Sequence, residues 1–240
     1  MQGLFWDTVK QNGNLVMANQ NTRAGIRVDA LGLILAGLIN TFLASADAGL
    51  ILAPGTATAQ PDLLLRIHWI AENTFRWQAG WLFWFAITLS FSWSYYALGR
   101  HLNKTQPWVN LAIGLALIAA AVDIVGVLIN MTVLPILASQ DQLAQLLFRS
   151  MEALANSLTN IAAFGLYSFA GLLLLPSIFS TKDYPNWLRW LGVTEWSIAS
   201  IATILLIAAP QIATIPLLIS FALYAPWVWG SAIWLLRKAY

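Results

Sequence analysis

The chain has 240 residues, of which 59% are hydrophobic and 9% charged, whereas a soluble domain carries about a quarter charged residues. So little charge cannot cover a globule with a wettable surface, and twelve scattered Lys and Arg with a net charge of +2 exclude the concentrated basic face that nucleic acids require. The absence of cysteine excludes disulfides, thiolate catalysis, iron–sulfur ligation and lipid anchoring through cysteine.

The long apolar runs lack period-two alternation, so the expected fold is all-α: a polytopic membrane bundle of six transmembrane helices plus a short interfacial helix between spans one and two. Residues 1–28 form a polar arm with one apolar patch at Leu4, Phe5 and Trp6, and a six-helix domain fills 29–240. Crossing about 30 Å of hydrocarbon takes roughly 20 residues. Six stretches suffice: 29–53, 77–99, 108–135, 148–179, 186–209 and 212–236. Pro54-Gly55, Gly99-Arg100-His101, Pro135, Pro185 and Pro210 punctuate them.

Early in the chain, Arg23, Arg27, the run 31–43 and Ala44-Ser45-Ala46 imitate a secretory signal, but Asp29 and Asn40 interrupt the pattern and argue against cleavage. Small residues Gly32, Ala36, Ala44 and Ala48 join Asn40 in a four-residue rhythm that allows close helix contact, with Asp47 beside its outer end. After span one, Pro61-Asp62 is a helix start, and the pattern to Arg76 predicts an interfacial helix with Arg66 on its polar side.

Lys and Arg in short loops set the direction. Lys10, Arg23, Arg27, Arg100, Lys104, Lys182, Arg189, Arg237 and Lys238 fall on one side, against Arg66, Arg76 and Arg149 on the other. The bias places both termini in the cytoplasm of a multi-pass cell-membrane protein. Trp69, Trp77 and Trp81 then fall near the outer interface, Trp108, Trp187, Trp190 and Trp234 near the inner one, as belt residues.

Ionisable groups in membrane helices cost roughly 2.5–3.5 kcal/mol each, so they mark partners, cavities or water. Asp123 shares a face of span three with Gly126 and Asn130. In span four Arg149, Glu152, Asn156 and Asn160 follow at intervals of three, four and four, on one helix face. Together with Asn40 and Asp47 these residues predict an outward-facing polar cavity between spans one, three and four. A plainer account competes: Arg149 and Glu152 as a local ion pair, the asparagines as interhelical hydrogen-bond glue, and Glu195 reaching toward the inner headgroups near Arg189.

The two histidines, His68 and His101, lie on opposite sides in this topology, which excludes paired haem ligation or a histidine-rich metal site. No cofactor is expected. No serine-nucleophile elbow, metalloprotease helix or phosphate loop is present, and the two halves show no matched repeat. The expected function is binding of a small or lipophilic ligand, or of a membrane-protein partner or second copy, in the polar cavity. The alternatives are a proton- or cation-coupled carrier using Asp123 and Glu152, and an intramembrane lipid-modifying enzyme. The expected surroundings are the lipid bilayer, with no nucleic acid.

Overall fold

A peptide group in hydrocarbon has no water to bond, and the chain meets that constraint by closing nearly every backbone hydrogen bond within helices. The computed structural model describes residues 23–43, 51–57, 60–102, 107–140 and 142–240, and among them there is no strand. Seven helices follow in order: α1, Arg23–Phe42; α2, Leu63–Glu72; α3, Thr74–Gly99; α4, Trp108–Ala138; α5, 142–180; α6, Asn186–Ala208; and α7, Pro210–Ala239.

Five of these, α1, α4, α5, α6 and α7, are long and apolar enough to cross a membrane. At 26 residues α3 is also long enough, but Trp77, Trp81, Trp84, Trp93 and Ser90, Ser92, Ser94 make it less apolar. It sits inside the bundle against α4.

Two differences from the sequence expectation concern boundaries. α1 is already helical at Arg23, inside the expected arm, and continues through Gly25. α5 begins by Gln142 instead of 148. Asp47 and the Ala44-Ser45-Ala46 site lie outside the described residues.

Contacts at the helix ends show which ends share a side. Asp29 of α1 is 1% exposed and takes His101 Nε2 at 2.8 Å and Arg100 Nη1 at 3.3 Å from the end of α3. At that same end Arg27 covers the Tyr240 ring, Lys238 pairs with Asp183 at 2.9 Å, and Trp234 donates to the Asp183 carbonyl. Tyr184 in the α5–α6 turn bonds Ser231 at 2.8 Å; burial pushes its phenol well above the usual range, against the opposing pull of Ser231 and Arg189. The opposite end carries the turn 51–57, α2 and the start of α5.

Helix α2 starts where the sequence indicates, with Asp62 accepting from the Leu64 and Leu65 amides at 2.8 and 3.2 Å. Its orientation differs from the expected one. Arg66, Ile67 and Ile70 face inward, and Leu64 and Leu65 are exposed. The inner face packs over a small core of Leu52, Trp77, Trp81, Val127, Leu134 and Phe148. The larger core is aromatic: Phe91 stacks on Tyr224 at 4.3 Å between centroids, and Trp196 meets Tyr95, Tyr224 and Trp227 at 5.5–5.9 Å.

Three helices contain π turns: Ile39–Leu43 in α1, Ile129–Val133 in α4 and Ser157–Ala163 in α5. Each has polar side chains that bond back to the carbonyl four residues earlier. Asn40 donates to Ala36 and Thr41 to Gly37; Asn130 donates to Gly126 and Thr132 to Leu128; Ser157 donates to Ala153. A side chain that takes the i−4 carbonyl competes with the backbone N–H for it and favours the wider π ladder.

Candidate functional site

Near the α2 end, α3, α4 and α5 diverge around a cavity of about 470 Å³. Its walls come from five places in the chain. The turn after α1 supplies Leu52, Gly55 and Thr56; α3 supplies Trp77, Trp81 and Trp84; α4 supplies Asn130; α5 supplies Glu152, Asn156, Ser157 and Asn160. Ile161 of α5 and Leu206 of α6 add apolar surface.

The tryptophans recur at steps of four and three, so one face of α3 becomes a wall of indoles. Trp77 and Trp81 pack edge to face at 5.7 Å and Trp81 and Trp84 tilt at 6.1 Å. Trp77 and Trp81 are only 2% and 7% exposed, so they are interior residues and not a belt. Trp77 is fixed by its indole N–H, which donates to the Asn130 carbonyl at 2.6 Å. Asn130 itself spends its amide on the Gly126 carbonyl, at 3.1 Å. The opposite wall is different. Asn156 and Asn160 line the cavity, and neither side-chain amide makes a hydrogen bond to a described residue.

The charge at the cavity is already balanced. Arg66 reaches in from α2 and grips Glu152 with two bonds, Nε to Oε1 at 3.1 Å and Nη2 to Oε2 at 2.7 Å, the side chains being 6% and 12% exposed. Its remaining Nη1 donates to the Gln60 and Pro61 carbonyls at 2.8 and 3.1 Å. Glu152 is thus paired across the fold with Arg66 and not locally with Arg149, which is exposed and lies beyond the cavity lip. Arg149 shares the helix face but is nearly a turn closer to the helix start, where solvent is available.

Asp123 lies deeper, in a hollow of about 50 Å³ that shares Trp84 and Asn160 with the large cavity. Thr88 donates to its Oδ2 at 2.6 Å, while Oδ1 has no hydrogen-bond partner. Asp123 and Glu152 therefore line neighbouring hollows that meet at Trp84 and Asn160. Asn40 is outside both: it donates to Ser90 of α3 at 2.7 Å and ties α1 to the bundle. The described part of α1 contributes no wall, and α3 takes the place expected for it. Glu195 does not reach the inner headgroups. It is 1% exposed and holds Ser220 at 3.1 Å across to α7, while Arg189 bonds the Thr181 carbonyl.

Sequence reasoning missed Arg66 here and assigned the tryptophans to a different place. Arg66 looks like the solvent face of an amphipathic helix until the distant Glu152 is known to lie opposite it. The tryptophan spacing was visible in the chain, but depth alone assigned those rings to an interface.

A helical bundle with several long apolar helices and carboxyl, amide and indole groups packed at its centre defines a multi-pass integral membrane protein. Within that class the chain belongs to the family of the domain of unknown function DUF4386, whose model matches residues 31–239. No curated protein and no solved structure matches it.

Proposed function

We propose that this is a six-span protein of the cell membrane, with both termini cytoplasmic, that binds a small amphipathic ligand in the cavity beneath α2. The observation that carries the reading is the pair of amides, Asn156 and Asn160, without hydrogen bonds among the described residues on the wall of a cavity of about 470 Å³. Each amide offers donors and an acceptor that a ligand can meet, and a space of this size suits a small molecule. Counting α3 as the sixth span is supported by its 26 residues and its place against α4. The Lys and Arg bias supports the orientation and puts α2 and the cavity on the outer side.

Coupled transport is the second reading, favoured by one feature: Asp123 adjoins the cavity and keeps one oxygen without a donor. A two-carboxylate hydrolytic site is disfavoured, because Glu152 is held in both oxygens by Arg66 and faces a different space from Asp123.

Mass spectrometry of small molecules that co-purify with the protein tests binding. The double variant Asn156→Leu with Asn160→Leu should lose the bound species while remaining folded. Retention of the same species in that variant would overturn the assignment of the site.

A further inference from the structure

We infer that the ligand of this cavity is electrically neutral, with a flat apolar ring and a carbonyl or hydroxyl oxygen; the inference rests on the binding role proposed above. Three observations lead to it.

The first is the charge balance. The cavity wall carries one ionised side chain, Glu152, and its charge is met by Arg66. Four of the five guanidinium N–H groups are occupied, Nε and one Nη2 N–H by the carboxylate and Nη1 by two backbone carbonyls, so no two-pronged face is left for an anion. An anionic or cationic ligand would therefore bring an unbalanced charge into a low-dielectric space, which is heavily penalised.

The second is the inventory of polar groups still unbonded. Asn156 and Asn160 each offer an amide N–H and a carbonyl, both neutral, and they lie one helical turn apart on the same wall. Trp81, on the facing wall, has a buried indole N–H with no acceptor among the described residues. Neutral donors in this number call for a neutral oxygen acceptor on the ligand.

The third is shape. Trp77, Trp81 and Trp84 line one side with rings inclined at 67° and 59° to their neighbours, so a planar ring can lie on one indole and meet the edge of the next, and Leu52, Ile161 and Leu206 add apolar surface. Flexible acyl chains would use none of this planarity.

A matched set of probes isolates charge from shape: 2-acetylnaphthalene, its anionic counterpart 2-naphthoate, and its cationic counterpart 2-naphthyltrimethylammonium. Each is titrated calorimetrically into the purified protein in nanodiscs, with empty nanodiscs as the blank. The neutral ketone should bind saturably, and both ions at least tenfold more weakly. In the Asn156→Leu, Asn160→Leu variant the ketone should weaken at least tenfold. Binding of either ion as tightly as the ketone, still lost in the double variant, would overturn neutrality while leaving the cavity as the site. A preference for the cation would move recognition to Asp123. Failure of all three probes, or binding indifferent to the double variant, would instead remove the cavity reading itself.

Discussion

The contact that closes the cavity is also the one whose energetics the structure defines best. Arg66 and Glu152 come from helices 86 positions apart in sequence, meet through two charge-assisted bonds, and are almost fully buried. Removing one partner leaves the other charge without compensation, which costs about 3–5 kcal/mol; replacing both by apolar groups of similar bulk is close to neutral. In a chain of this length 1 kcal/mol corresponds to roughly 2–4 °C in Tm, so Arg66→Met and Glu152→Leu singly should each lower Tm by about 6–20 °C. The double variant should recover most of that loss. Arg149→Ala is the control, because an exposed arginine without a partner among the described residues should change stability by no more than about 0.5 kcal/mol. The assay is thermal unfolding of the detergent-solubilised protein, followed by size-exclusion chromatography. Additive losses in the double variant would refute the pairing, and so would an Arg149→Ala loss as large as that of Glu152→Leu.

Three further predictions follow from the same contacts. Because the chain has no cysteine, single cysteines report topology directly: His68→Cys should react with an impermeant maleimide in intact cells, and Arg100→Cys only after permeabilisation. Labelling of both from one side would remove α3 from the spans. Gly126→Ala should destabilise by about 1–3 kcal/mol in the same thermal assay, because the added methyl meets the Thr159 hydroxyl and lies 2.9 Å from the Ala155 carbonyl, a backbone group that cannot move aside. Trp77→Phe removes the indole bond to the Asn130 carbonyl while keeping an aromatic ring, and should cost about 0.5–1.5 kcal/mol; an unchanged Tm would show that bond to contribute nothing.

Most of the architecture was legible because the bilayer imposes a simple rule: uninterrupted apolar length means a helix. α4 to α7 follow from that alone, and the cap at Asp62 follows from a local hydrogen-bond rule. What was hidden is partnership across the fold. Glu152 has Arg149 one turn away in sequence, and only the packing of α2 shows that Arg66 displaces it. Trp77 and Trp81 are amphipathic, and amphipathic rings suit either an interface or an interior with a carbonyl to bond; the Asn130 carbonyl decides between them, and its position is a tertiary fact. Asn40 and Asn130 look equivalent as sequence, each following Leu-Ile, yet one ties two helices together and the other backs a cavity.

The spacing of Glu152, Asn156 and Asn160 contains one more piece of information. In an α-helix each residue turns about 100°, so steps of four overshoot a full turn by about 40° and two such steps carry a side chain well around the helix. All three residues nevertheless line one cavity. The π turn Ser157–Ala163 supplies the correction, since its wider turn takes up the excess and brings Asn160 back into line. A π turn is a helix with one residue more than the α ladder needs, so deleting the exposed Ser157 should restore α geometry and keep the later turns of α5 in register with α4 and α6. Asn160 would then follow Asn156 by three positions, turned about 60° from it but still on the same side of the helix. The deletion variant should unfold within a few degrees of the wild type and hold the co-purifying ligand more weakly than the wild type does. Full retention of that ligand in a deletion variant of normal stability would show that the π turn does not place the binding amides.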